Sequence, residues 1–450
     1  MLPIWLALAP LAADALAQEA QENLAIPAVD PYSGFWAETL PNGMRVSILA
    51  DPDAPIVATQ TWVRVGSAHE APNELGFAHL FEHLMFGATT THDKEAYSRL
   101  HTVNGGDENA YTAWDNTVYI STIPPALHDQ VLQLEADRFK NLILDQENLD
   151  NEKKIVTEEL RLRTENNPMS RVLITGVSAL FEGHPYGHFP SGTKEQIAAA
   201  DLELTRKFYA GYYRPANLQL VIVGPVDGPA TMARVRELYT DTTGDALVPP
   251  EVPPLTSHDF PDRLVLSEDI PPVKVAALFY PLPPSSDPSY PAAMLMRQML
   301  TGGEVDRFRQ VLVEDQGKAL DAMTVDADLR AGGILAFASI NLPTRSQRKA
   351  LKQLHGALDE LSTMGWATEA NLETARRFLL RDELERQYSV EAQADAIGNA
   401  WSWRGDEQLA LGADVAALQK VTLAEVVALW DTWVKNATPT EIIVKKGKPE

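Results

Sequence analysis

The chain has no cysteine among its 450 residues. Disulfides and thiolate metal sites are therefore excluded, and any metal must be held by His, Asp or Glu. Positive charge is also scarce: 38 Lys and Arg stand against 62 Asp and Glu, a formal net charge of −24. Bulk charge thus argues against binding nucleic acid or an anionic membrane surface. Long apolar runs are missing too, so the sequence predicts no membrane span. The opening MLPIWLALAPL is apolar but too short to cross a bilayer. It is followed by Ala15-Leu16-Ala17, a small-x-small pattern before Gln18. The basic start of an export signal is lacking, but the rest predicts a signal peptide over residues 1–17. Export to the periplasm, or secretion, from a bacterial cell follows from it. Residues 18–33 read as a flexible lead-in.

What is present is an ordinary globular balance, 45% hydrophobic and 22% charged, in a chain long enough for two domains. Asn42-Gly43 is a hairpin signal between two strand-like runs. IVATQTWVRVGS (Ile56 to Ser67) alternates apolar and polar residues, which predicts a half-buried strand. Residues 116–123 and 217–226 read as further strands, the second fully buried. Residues 126–144 and 149–165 have helical spacing. Between residues 241 and 262 the composition shifts to VPPEVPP and reads as a linker. A second series of strands and helices runs from Arg263 to the end. The predicted class is α+β, with a domain at 34–240 and a similar one at 263–450, a hint of tandem duplication.

FAHLFEHLMF (Phe77 to Phe86) reads as a helix with His79 and His83 four residues apart. A lone histidine on an apolar helix face is more often a satisfied core residue. A pair at this spacing shares one face and can direct two nitrogens at one ion. Glu82, beside them, is placed to act as general base on a water. H-x-x-E-H is the inverse of the common H-E-x-x-H zinc protease signature. A catalytic zinc needs a third protein ligand and an open position. NEKKIVTEELRLR offers Glu152, Glu158 and Glu159. Glu152 and Glu159 share a face, and Glu158 is turned roughly 100° from Glu159. On spacing alone this is equally an acidic helix with solvated charges.

With more of the chain in view, the sequence resembles the pitrilysin/insulinase-type zinc metallopeptidases, which include insulin-degrading enzymes and the mitochondrial processing peptidase. The resemblance rests on H-x-x-E-H followed by Glu159, 76 residues past His83, and on LPNGMRV, WVRVGSAHE, GGDENAYTAWDNTVY, EKKIVTEELR, HPYGHFPSGT and YYRPANLQLVIVG. It covers nearly all of the first half and, more loosely, the second. It implies two similar domains, each a mostly antiparallel sheet packed with helices. It implies one zinc per chain on His79, His83 and Glu159, Glu82 as general base, and Glu152 as an acidic group orienting a ligand. Asn109 and Ala110 match the edge strand that pairs with the substrate backbone. His184 and His188 are read as structural. The second half departs from the pattern: it lacks H-x-x-E-H, and where family members carry an Arg and a Tyr it has Val313 and Leu320. The expectation is a zinc endopeptidase subunit whose partner, a related chain, supplies the Arg and Tyr. The alternatives are a non-catalytic assembly subunit and an active homodimer.

Overall fold

The computed structural model describes residues 34–165, 168–240, 248–256, 260–301, 306–363, 365–405 and 413–447. The expected signal peptide, the lead-in and parts of the linker lie outside the described residues. Asn42 and Gly43 turn the chain between β1 (Phe35–Thr39) and β2 (Arg45–Ala50), which pair antiparallel. With β3 (Val57–Val63), β4 (Asp107–Thr112), β5 (Thr117–Ile123) and β6 (Leu218–Gly224) they form a six-stranded sheet in the order β1-β2-β6-β3-β5-β4. A second sheet has β7 (Arg263–Glu268), β8 (Lys274–Leu282), β9 (Asp321–Leu329), β10 (Gly332–Asn341) and β11 (Thr440–Lys446) in the order β7-β11-β8-β10-β9. One pair in each sheet is parallel, β2 with β6 and β7 with β11, and the rest are antiparallel. From β2 onward the first sheet repeats the order and senses of the second, as a tandem duplication would.

Five helices position the site and join the halves: α1 (Phe77–Leu84), α2 (Ala96–Asn104), α3 (Gln146–Glu165), α4 (Pro168–Leu180) and α5 (Val390–Arg404). One face of the first sheet, with Val46, Ile48, Tyr119 and Ile222, packs on Phe77, Leu80 and Phe81 of α1 and on Val156 and Leu160 of α3. Its other face, with Ala58, Trp62, Val118 and Val221, is covered by Val390, Ala394, Ile397 and Trp401 of α5. That helix belongs to the second half of the sequence. In return, Leu180 of α4 and the adjoining Phe181 pack on Phe279 and Leu329 of the second sheet. Each half thus lends a helix to the other's sheet, which welds the halves through apolar burial worth about 1.5–3 kcal/mol for each large side chain. Gly398 lets α5 sit close: a Cβ there would lie 2.0 Å from Cε2 of Trp62.

The exchange corrects one expectation. β3 was predicted to be half-buried, yet all seven of its residues are buried, because α5 closes the face that would otherwise meet water. Its polar residues are paired instead of solvated. Gln60 Nε2 donates to Asp395 at 3.0 Å and Gln60 Oε1 accepts from Trp62 Nε1 at 2.9 Å. Thr61 donates to Glu135 at 2.9 Å, and Thr59 meets His128 at 3.1 Å. In the linker region Val252 and Leu255 are buried against the second sheet's cluster. No helix among the described residues is long and apolar enough to cross a membrane.

Candidate metal centre

Apolar side chains at Phe77, Leu80, Phe81 and Leu84 anchor one face of α1 in the core. His79, Glu82 and His83 are left to face α3 and the edge strand β4. The helix opens at Gly76, whose φ of 88° is left-handed and favours glycine. Leu149, Val156 and Leu160 anchor α3 in the same core, and the flank beside that apolar face presents Glu152 and Glu159 to α1.

The two histidine rings stand 5.0 Å apart and nearly perpendicular. Both direct Nε2 at the same oxygen: His83 Nε2 lies 3.2 Å and His79 Nε2 3.6 Å from Oε2 of Glu159. Tetrahedral zinc with bonds of about 2.0–2.1 Å separates neighbouring ligand atoms by roughly 3.3–3.4 Å, so this donor set fits such an ion. Glu82 borders the set, with ligand atoms of His79, Glu82 and His83 all within 4.8 Å of one another. His79 is almost fully buried, whereas the His83 and Glu159 side chains keep a fifth to a quarter of their surface exposed. The site is therefore open on one side.

The groups around the set define its charge. Glu152 Oε2 lies 3.9 Å from His83 Nδ1, and its other oxygen accepts from Lys94 at 2.6 Å. Arg163 pairs with the remaining oxygen of Glu159 at 2.5 Å. Thr112, at the end of β4, donates to Oε2 of Glu82 at 2.6 Å. Burial pulls His79 down to about 4, aided by the charge of His83, which leaves its imidazole neutral and able to donate a lone pair. Burial would lower His83 too, but the carboxylates of Glu159, Glu82 and Glu152 outweigh it and raise it. The His83 hydrogen bond holds Glu159 below the usual carboxylate range, while burial raises Glu82.

The candidates named from the sequence fall into two places. His79, Glu82, His83, Glu152 and Glu159 come together. Asn109 and Ala110 lie on β4, which among the described residues pairs with β5 alone and has its outer edge without a strand partner. There Ala110 N–H is taken by Oδ1 of Asn109 at 2.9 Å. Glu158 turns away and pairs with Arg161. His184 hydrogen-bonds the carbonyl of Pro253, and His188 meets Glu70. Val313 packs partly buried on the second core, and Leu320 is 52% exposed; neither carries a donor. Thr112, Lys94, Arg163 and Glu70 escaped the sequence reading. Thr112 lies inside the GGDENAYTAWDNTVY run, but nothing local says that it reaches residue 82.

The family description "Insulinase (Peptidase family M16)" matches residues 45–188, and "Peptidase M16 inactive domain" matches residues 199–379. The Helicobacter pylori zinc protease PqqE is 24% identical over 80% of this chain and 81% of its own. An uncharacterized zinc protease of Mycobacterium leprae is 30% identical over 46% of each chain. Among solved structures, a protease from Helicobacter pylori superposes with a TM-score of 0.82 at 22% identity, over 91% of this chain and 99% of that one. The periplasmic protease PqqL of Escherichia coli gives 0.74 at 18% identity, with 91% of this chain on 47% of that one, so this chain spans about half its length. The two family matches fall one on each half of a fold that these structures share, and the chain belongs to peptidase family M16.

Proposed function

We propose that this chain is a zinc-dependent endopeptidase subunit acting on unfolded peptides. The observation that carries the reading is the convergence of two Nε2 atoms on one Glu159 oxygen, at 3.2 and 3.6 Å, with Glu82 alongside. One zinc per chain is held by His79, His83 and Glu159. Bound there, zinc supplies a Lewis acid for the scissile carbonyl and lowers the pKa of a water. Glu82 takes the water's proton and returns it to the leaving amine. The raised pKa of Glu82 suits that exchange, and Thr112 aims its carboxylate. Glu152 orients His83 from behind. An extended peptide adds to the free edge of β4 at Asn109 and Ala110, pairing through its main chain once the Asn109 carboxamide swings off the Ala110 N–H.

The oxyanion that forms on the attacked carbonyl needs hydrogen-bond donors. Val313 and Leu320 supply none, so the reading includes a related partner chain that brings an Arg and a Tyr. This chain spans about half the length of the Escherichia coli periplasmic protease, a ratio that suits pairing with a second chain of similar size. The periplasmic location of that protease supports a periplasmic or secreted location for this chain. The same missing donors favour one other reading, a non-catalytic assembly subunit that keeps the fold.

The test is metal analysis joined to peptide hydrolysis. One zinc per chain is expected, lost in His83→Ala. Glu82→Gln should keep zinc and fold but lose about 10²–10⁴-fold in turnover. Activity on an unstructured peptide should be weak for the chain alone and rise with the partner. Equal zinc in wild type and His83→Ala would overturn the ligand assignment. Zinc without hydrolysis under any pairing would favour the assembly role.

A further inference from the structure

Glu70 sits beneath the first turn of α1 with its side chain wholly buried. Its two oxygens are shared out between main-chain donors. Oε1 accepts from Ala78 N at 2.7 Å, and Oε2 accepts from Gly76 N at 2.8 Å. These N–H groups have no partner inside the helix, and an anionic acceptor at that end is also favoured by the helix dipole. Oε2 has a second neighbour, His188 Nε2, at 3.0 Å. The carbonyl of His188 accepts from Trp114 Nε1 at 3.0 Å. Just before Glu70, Ser67 N and Ala68 N donate to the carbonyls of Ala113 and Trp114 at 3.2 and 2.9 Å. Thr112, which holds Glu82, immediately precedes Ala113. One buried carboxylate thus ties the start of the histidine helix to the end of the edge strand.

We propose that Glu70, held by His188, is a positioning residue for the metal centre. It fixes the rotation and height of α1 so that His79 and His83 meet Glu159 while Glu82 stays within reach of Thr112. The proposal rests on the zinc reading above, because the geometry it protects is that of the ligand set. The geometry needs a carboxylate: a carboxamide has one acceptor oxygen, so glutamine serves one of the two amides and turns an NH2 towards the other. His188 needs only an N–H at Nε2, which a glutamine side chain also offers.

The experiment compares wild type, Glu70→Gln, His188→Leu and His188→Gln by zinc titration, steady-state hydrolysis with the partner present, thermal midpoint, and amide hydrogen exchange of α1 in metal-free protein. Glu70→Gln is expected to weaken zinc binding about 10–100-fold, the usual cost of losing a supporting partner behind metal ligands. At saturating zinc kcat should fall while KM stays within about twofold, and exchange at Ala78 should quicken. His188→Leu should move the same way by less, and His188→Gln should restore most of the loss. A merely structural role would lower the thermal midpoint and leave the zinc affinity and kcat of the folded protein unchanged; that result overturns the proposal and leaves the zinc reading standing. If wild type binds no zinc the function itself fails, and unchanged exchange at Ala78 in Glu70→Gln would then show that Glu70 does not position α1 either.

Discussion

Thr112, the last residue of β4, donates its hydroxyl hydrogen bond to Oε2 of Glu82 on α1 across 2.6 Å. The contact joins the strand that offers a peptide-binding edge to the helix that carries the candidate base. A hydrogen bond to a charged group is worth about 1.5–3 kcal/mol. Thr112→Val should therefore lower kcat by about 10–100-fold with zinc content unchanged, and Thr112→Ser should stay close to wild type. Steady-state kinetics with metal analysis on the same preparations checks it. A valine variant with a wild-type kcat would show that Glu82 needs no aiming.

Removing the metal should cost stability. Zinc bound to the folded state alone at about 100 times its dissociation constant adds about 2.7 kcal/mol. The thermal midpoint of chelated protein is expected to fall by several degrees and to recover as zinc is returned. His83→Ala should show no such recovery. Calorimetry across a zinc series decides, and a midpoint indifferent to zinc in the wild type would contradict it.

Gly398 should reject a side chain despite lying in a helix. On an open helix surface Gly→Ala stabilises by about 1 kcal/mol. Here the new Cβ would meet the Trp62 ring at 2.0 Å, which no neighbouring flexible atom can relieve. Overpacking of this kind costs about 1–3 kcal/mol, so Gly398→Ala should lower the thermal midpoint. Chemical denaturation gives the sign directly, and a stabilised variant would mean that α5 is free to move off the first sheet.

Acid should weaken the fold through buried histidines away from the metal. Burial holds His128 and His69 down to about 4, against 6.5 for the exposed side chain. The unfolded chain then binds protons that the folded chain refuses, so stability present above pH 6.5 is lost as pH falls towards 4. Each full shift of this size is worth about 3 kcal/mol. His128→Asn should flatten the fall between pH 6.5 and 4, at some cost in stability at neutral pH from the lost contact with Thr59. Urea midpoints measured at several pH values provide the check; identical slopes in variant and wild type would remove His128 as a source.

The sequence by itself determined what depends on short range. His79 and His83 lie four apart, so any helix there puts them on one face, and the absence of cysteine leaves only His, Asp and Glu to hold a metal. The hairpin at Asn42-Gly43 and the buried run of β6 were equally legible, because turn chemistry and apolar content act within a few residues. Spacing left Glu159 one acidic candidate among three; family resemblance singled it out, and packing of α3 on α1 brings its carboxylate to both rings. Only the tertiary structure decided the rest. Thr112 reaches Glu82 from 30 residues away, His188 reaches Glu70 from 118, and Trp401 covers Trp62 from the other half of the chain. Periodicity says which side of an element is apolar, but not which distant element will cover it. β3 shows the consequence: its alternating pattern predicted one wet face, and a helix more than 300 residues downstream keeps that face dry.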